Sequence, residues 1–205
     1  RECWLRLGIA RHYDLPTRLL DWTGSPLVAL HFATSEWHSK DFEVKGAVVW
    51  KADFVGVGHL LPPRMRKALR RAEMLNGEMM NKECSFEKFR GRFPECVVFF
   101  EPSSDDARIV NQYAVFSARS GPLDPLMPLS KWLEAEKNGK FSRHFKKIII
   151  PGKLKREIRY KLDQMNISER VLFPGKEGLC KWLTRYYGFF RVAPLGSVNP
   201  SPLGE

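Results

Sequence analysis

Cysteine is scarce in this chain and long apolar runs are missing. The four cysteines, Cys3, Cys84, Cys96 and Cys180, are scattered without C-x-x-C spacing, which argues against a zinc site and against a disulfide scaffold. A reducing compartment follows, and a cytoplasmic protein is expected. No stretch approaches the roughly 20 consecutive apolar residues of a membrane-spanning helix, so no membrane association is expected. Arg1–Ala10 mixes charges into its apolar residues and has no small-residue cleavage site, unlike a signal peptide. Because the chain starts without Met and already amphipathic, it reads as a piece of something longer. Asp, Glu and His do not cluster at metal-ligand spacing, so no metal is expected and a metal-dependent nuclease finds no support.

Acidic residues are also in deficit. Against 34 Lys and Arg stand 23 Asp and Glu, a net charge of +11 that draws polyanions toward the surface. Nucleic acid or a phosphorylated small molecule is the favoured partner class; the alternative is a generally basic surface with no cognate polyanion. With 205 residues, 43% hydrophobic and 28% charged, the chain has the length and composition of one globular domain. That domain is expected over residues 1–187. In residues 188–205, Pro194, Gly196, Pro200, Pro202 and Gly204 predict a tail that is disordered or held by a partner.

The expected class is α+β, a small central sheet flanked by helices. Glu2–Tyr13 reads as a buried helix, ended by Asp14 and Pro16, and Leu15–Trp22 as extended chain. Ser25-Pro26 should open a second helix as cap and first helical residue, and its body, Leu27–Ala33, is apolar enough to be covered all round. Strands are expected at Gly46–Trp50, Cys96–Phe100, Ala114–Ser117 and Lys146–Ile150, and a short helix within Asp105–Asn111. Pro63–Met80 carries Met65, Leu69, Ala72 and Leu75 at helical spacing among Arg64, Arg66, Lys67, Arg70 and Arg71, an amphipathic basic helix. Further helices are expected from Ser130 to Lys137, from Lys153 to Met165 with Leu154, Ile158, Leu162 and Met165 on one face, and from Lys176 to Tyr187 with Leu179, Cys180 and Leu183 packing inward.

The densest chemistry lies in Arg11-His12-Tyr13-Asp14-Leu15-Pro16-Thr17-Arg18-Leu19-Leu20-Asp21-Trp22-Thr23. Imidazole, phenol, guanidinium and carboxylate between two apolar helices are costly unless they satisfy one another or a ligand. An internal Arg18 to Asp21 ion pair would satisfy them; so would a binding site. His31, on an apolar helix, reads as a core histidine. The helix bearing Arg64, Arg66, Lys67, Arg70 and Arg71 would suit the phosphates of a nucleic acid, or form a solvated surface.

His-Tyr-x-Leu-Pro-Thr-Arg-Leu-Leu-Asp-Trp-Thr, from His12, followed by Ser-Pro-Leu-Val-Ala-Leu-x-Phe-Ala, from Ser25, resembles the FRG domain of bacterial and phage proteins. The resemblance extends through Glu101-Pro102, Arg108-Ile109 and Gln112–Phe116 to Met165–Pro174 and Gly178-Leu179. Two departures stand out. The family has Gly where Asp14 sits and another near Ala114, and its Phe/Tyr-Arg-Gly motif lies upstream of the first helix, whereas Phe89-Arg90-Gly91 falls after the second helix.

The family's order of blocks is similar to the ADP-ribosyltransferase architecture. The resemblance implies NAD as a substrate cofactor and transfer of ADP-ribose to a nucleic acid or protein, in a bacterial toxin or antiphage defence system. It places Thr17, Arg18, Tyr13 and Trp22 around NAD and Gln112 at the acceptor. Glutamine takes no proton at neutral pH, so a base would be His12, Asp21 or Glu101. The alternative from another class is a binding or sensor module for nucleic acid or a nucleotide, without turnover.

Overall fold

Four consecutive buried apolar residues, Val97-Val98-Phe99-Phe100, form the centre of the fold, because a strand with no polar alternation must be covered on both faces. The computed structural model describes residues 3–12, 15–36, 41–69, 75–76, 96–102, 106–120 and 139–192. Its strands are β1 (Leu19–Thr23), β2 (Ala47–Ala52), β3 (Leu75–Asn76), β4 (Val97–Glu101), β5 (Ala114–Arg119) and β6 (Phe145–Ile150). Its helices are α1 (Cys3–His12), α2 (Pro26–Ala33), α3 (Phe54–His59), α4 (Pro63–Leu69), α5 (Ala107–Asn111), α6 (Lys155–Gln164), α7 (Glu169–Leu172) and α8 (Lys176–Val192). Among the described residues β1, β5, β4 and β3 make one sheet in that order, and β2 and β6 a separate antiparallel ribbon. The class is α+β, as expected.

In the larger sheet, β5 pairs antiparallel with both β1 and β4, and the short β3 runs parallel to β4. Trp4 of α1 packs edge-on against Phe100 at 5.5 Å between ring centroids, and Leu19, Met65, Phe116 and Phe141 belong to the same buried cluster. Each such side chain contributes about 1.5–3 kcal/mol by leaving water. α2 begins as its sequence dictates: the Ser25 hydroxyl accepts from the Val28 N–H at 3.4 Å, with Pro26 in the first turn.

The structure corrects several element readings. The expected helix through Met80 gives way to strand β3 at Leu75–Asn76: β4 offers an open edge there, and Asn76-Gly77 is a poor helical pair. The α2 helix is covered on its Val28 and His31 side, whereas Phe32 is 42% exposed. α8 runs on to Val192 instead of ending at Tyr187, since Phe189, Phe190 and Val192 continue a helix-compatible sequence past Gly188. On α6 the buried residues are Lys155, Arg159 and Leu162, one position round from the apolar stripe, and on α8 Leu179 and Leu183 face outward while Gly178 and Arg185 are buried. Both helices turn this way because the charged groups they bury find partners inside. The expected Ser130–Lys137 helix, Arg70, Arg71, Phe89-Arg90-Gly91 and the tail from residue 193 lie outside the described residues.

Backbone φ is positive at Tyr113 (49°) and Asn166 (61°). Tyr113 adjoins Ala114, where the resemblance anticipates a glycine, and its side chain is largely exposed. Replacing Tyr113 with glycine should therefore raise stability by roughly 0.5–1 kcal/mol, read as a higher urea midpoint at unchanged slope, because a left-handed conformation strains any Cβ. The opposite is expected at Gly178. An added Cβ would lie 1.9 Å from the Phe173 carbonyl oxygen and 2.5 Å from that of Glu169. Gly178→Ala should destabilise by about 1–3 kcal/mol in the same assay, as overpacking against fixed backbone does.

Candidate functional site

The end of β1 is stitched to the turn before β5. Thr23 Oγ1 donates to the Gln112 carbonyl at 2.7 Å and accepts from the Ser25 N–H at 3.0 Å, and the Gly24 N–H donates to the Tyr113 carbonyl at 2.9 Å. Thr23-Gly24-Ser25 thus both caps α2 and fixes Gln112 beside the Asp21-Trp22 pair. Asn111 and Gln112 in turn hold the C-terminal helices, their side-chain amides donating to the Val171 carbonyl at 2.8 Å and the Leu172 carbonyl at 2.9 Å.

A cleft of about 630 Å³ opens where these segments meet. Asp21, Trp22 and Thr23 of β1, Phe32 of α2, Trp50 of β2 and Gln112 after α5 all line it, with Arg11 and Arg108 as its cations. The volume is within the range of small-molecule sites, and the wall is mainly apolar with a few convergent polar groups. α2 supplies that wall with Ala29, Phe32 and Ala33, which explains why its outer side is apolar yet uncovered.

Asp21, Arg11, Trp22, Gln112 and Arg108 each have a partner. Asp21 pairs with Arg11, Oδ2 receiving Nε at 2.7 Å and Nη2 at 2.6 Å, and both side chains retain exposure, 31% for Arg11 and 50% for Asp21. Of the two alternatives, the Arg18 to Asp21 pair does not form; Asp21 pairs with Arg11 because α1 brings Arg11 alongside β1. Trp22 Nε1 donates to Ser117 Oγ at 2.8 Å and its ring meets Phe99 edge-on at 5.4 Å, so the indole is a rigid wall of the cleft and part of the core. With the Gln112 Nε2 engaged by Leu172, the amide oxygen is the atom that Gln112 can offer a ligand. The Arg108 guanidinium lies 4.8 Å over the Phe173 ring, and α5 is capped by the Asp106 side chain accepting from the Arg108 N–H at 2.7 Å.

Of the residues singled out from the sequence, Asp21, Trp22 and Gln112 share this cleft. Thr17, Arg18 and Glu101 do not line it. Thr17 Oγ1 accepts from the Leu19 N–H at 3.2 Å, and Arg18 reaches the Arg119 carbonyl at 3.5 Å, both at the opposite end of β1. Alternation along β1 and its register with β5 put Arg18 beyond the Leu19–Ala118 pair, away from the Thr23 end. Glu101 ends β4 and is exposed. Tyr13 and the side chains of His12 and Arg64 lie outside the described residues. On α4, Arg66 and Lys67 are exposed around buried Met65, apart from the cleft lining. Sequence reasoning missed Arg11 and Arg108 as cleft cations and Trp50 as a wall. For Arg11 the signal was its place at the head of the motif, but spacing alone could not choose it over Arg18.

Behind α2 lies a second polar cluster that is closed to the cleft. Arg159 donates from Nη2 to Glu169 Oε1 at 2.6 Å and from Nη1 to His31 Nδ1 at 2.9 Å. Arg185 donates from Nε to Glu169 Oε1 at 2.7 Å and grips Asp163 through two bonds of 2.7 and 2.6 Å. Burial and the neighbouring Arg159 cation lower the His31 pKa to about 4, which keeps the ring neutral. Burial alone would raise Glu169, but the Arg185 hydrogen bonds and the Arg159 charge outweigh it and hold the carboxyl at about 2. Burial pushes Arg159 down despite Glu169, whereas Arg185, also desolvated, is driven up by hydrogen bonds to two carboxylates.

Among the described residues no helix is long and apolar enough to cross a membrane. No curated protein and no solved structure matches the chain. The family model of the FRG domain matches residues 1–42, the segment that carries α1, the Arg11 to Thr23 motif and α2, so that part of the chain is similar to the FRG domain family.

Proposed function

We propose that the cleft binds NAD and that the domain transfers ADP-ribose to a nucleic acid or protein acceptor, within a bacterial toxin or antiphage defence system. The observation that carries this reading is the convergence of Arg11, Asp21, Trp22, Arg108 and Gln112 on one apolar-walled cleft. In the transfer, the bond from the ribose anomeric carbon to the nicotinamide nitrogen breaks, and its electron pair leaves with neutral nicotinamide. An acceptor oxygen or nitrogen bonds to that carbon and loses its proton to a base. The sugar becomes cationic at the transition state, so a fixed carboxylate beside it is stabilising, and among the described residues Asp21 brings a carboxylate to the cleft. Arg11 and Arg108 would hold the pyrophosphate, Trp22 and Trp50 give flat faces for the rings, and the Gln112 amide oxygen would orient the acceptor. The architectural similarity to ADP-ribosyltransferases belongs to this proposal and rests on the order of blocks.

A second reading, a nucleotide-sensing module without turnover, draws on the pairing of Asp21 with Arg11 and of Gln112 with Leu172, which makes both groups rigid before any ligand arrives. One experiment separates the two. The protein is incubated with adenylate-labelled NAD and mixed DNA, RNA and protein acceptors, and both nicotinamide release and label transfer are measured. Transfer is expected, and Asp21→Asn and Gln112→Ala should each lower it at least ten-fold, about 1.4 kcal/mol of transition-state stabilisation. NAD binding by calorimetry with no nicotinamide release would leave the sensing module in its place.

A further inference from the structure

We infer that the β2–β6 ribbon is a docking surface for a single strand of nucleic acid, which crosses its β6 edge from Lys51 and Lys146 on one face to Lys147 on the other, beside the cleft. This deepens the acceptor side of the proposed function and rests on its choice of a nucleic acid, without depending on NAD turnover.

The strands Ala47–Ala52 and Phe145–Ile150 contain three lysines and no acidic residue. Their register sets Lys51 directly opposite Lys146 and Trp50 opposite Lys147. Opposed residues share a face with their Cβ atoms about 5 Å apart, so the Lys51 and Lys146 charges repel. All three lysines are exposed, and among the described residues none has a carboxylate partner. The acids flanking the ribbon are engaged: Asp53 with His144 at 3.1 Å and the Gly56 N–H at 2.9 Å, Glu43 with Arg156. Among the described residues no carboxylate offsets these two charges, and a phosphate between the two ammonium groups would.

The remaining surface chooses the form of the nucleic acid. Ile148 and Ile149, 44% and 68% exposed, point to opposite faces of β6, so the ribbon presents aliphatic carbon next to ammonium groups on both sides. Unstacked bases can cover such carbon while phosphates meet the lysines, whereas a duplex shows its phosphates and hides its base faces. Trp50 shares the face of Lys147 and lines the cleft, so a strand held at Lys147 reaches the site where transfer is proposed. The basic helix α4 shows Arg66 and Lys67 on a seven-residue helix, and neither lines the cleft.

The test uses the whole chain without NAD and fluorescence anisotropy with labelled single-stranded DNA and RNA of roughly 20 nucleotides, and the matching duplex, over a series of salt concentrations. The single strand is expected to bind more tightly than the duplex. A Lys51→Ala/Lys146→Ala/Lys147→Ala variant should bind at least ten-fold more weakly, with the log–log salt slope reduced by about 2, near 0.7 for each phosphate that is no longer neutralised. Arg66→Ala/Lys67→Ala should bind as the unaltered chain does, and thermal melts should superimpose for all three proteins. Equal affinity in the ribbon variant, weakening confined to the α4 variant, or preference for the duplex would each overturn the inference. Strand binding intact with no NAD turnover would count against the proposed transfer and leave the ribbon assignment standing.

Discussion

Glu169→Ala is expected to cost the fold about 3–5 kcal/mol, the range for removing one partner of a buried ion pair. The carboxylate is buried and receives hydrogen bonds from two arginines, at 2.6 Å from Arg159 and 2.7 Å from Arg185. Without it two desolvated guanidiniums face each other, and only Arg185 keeps a carboxylate, Asp163. Since domains are stable by about 5–15 kcal/mol, the variant should lie near unfolding at room temperature. Urea titration followed by circular dichroism gives the value. A loss below about 1 kcal/mol would show that water or a shift of α6 takes over the carboxylate's work. Replacing Arg159, Glu169 and Arg185 together with apolar residues should recover much of the loss, because the penalty belongs to the unpaired charges and not to the absence of the pair.

The cluster also bears on the cleft. His31 accepts from Arg159 at its Nδ1, and the next residue, Phe32, lines the cleft. Whatever loosens α6 against α2 must therefore move a cleft wall. In Glu169→Ala, any ligand of the cleft should bind more weakly even at temperatures where the protein remains folded.

That cluster marks the boundary of what the sequence made legible. Strands with a pure apolar run, such as Val97–Phe100, and helices with a capping pair, such as Ser25-Pro26, were readable because burial and capping leave local signatures. The orientation of α6 and α8 was not. Their apolar stripes predicted the inward face, yet Arg159 and Arg185 turn inward and leave Leu179 and Leu183 half exposed. Periodicity assumes that charge faces water, and this fails when four charges from three helices meet. In the site, the motif from Arg11 to Thr23 announced polar density, and Asp21, Trp22 and Gln112 do share the cleft. Which arginine would join them depended on how α1 lies against β1, a long-range fact that spacing does not encode.

Acidification should expose the same cluster in a second way. His31 has a folded pKa of about 4 against an ordinary value of 6.5, so between these limits the unfolded chain takes up a proton that the native protein refuses. Stability is therefore full above pH 6.5, declines as pH falls from 6.5 to 4 by about 3 kcal/mol, and receives no further loss from this group below 4. Glu169, held at about 2 against 4.5, acts lower down: its contribution is present above pH 4.5 and is lost as pH falls toward 2. Urea midpoints measured from pH 7.5 to 3 should accordingly begin to drop at mildly acidic pH, well before ordinary carboxylates titrate. His31→Asn keeps an acceptor near Nδ1 for Arg159 but cannot gain the proton, so it should flatten the limb between pH 6.5 and 4 while retaining the steeper one beneath. A wild-type profile that stays level down to pH 4.5 would mean that the imidazole accommodates its proton by swinging away from Arg159, and that α2 is less firmly held to α6 than a 2.9 Å contact implies.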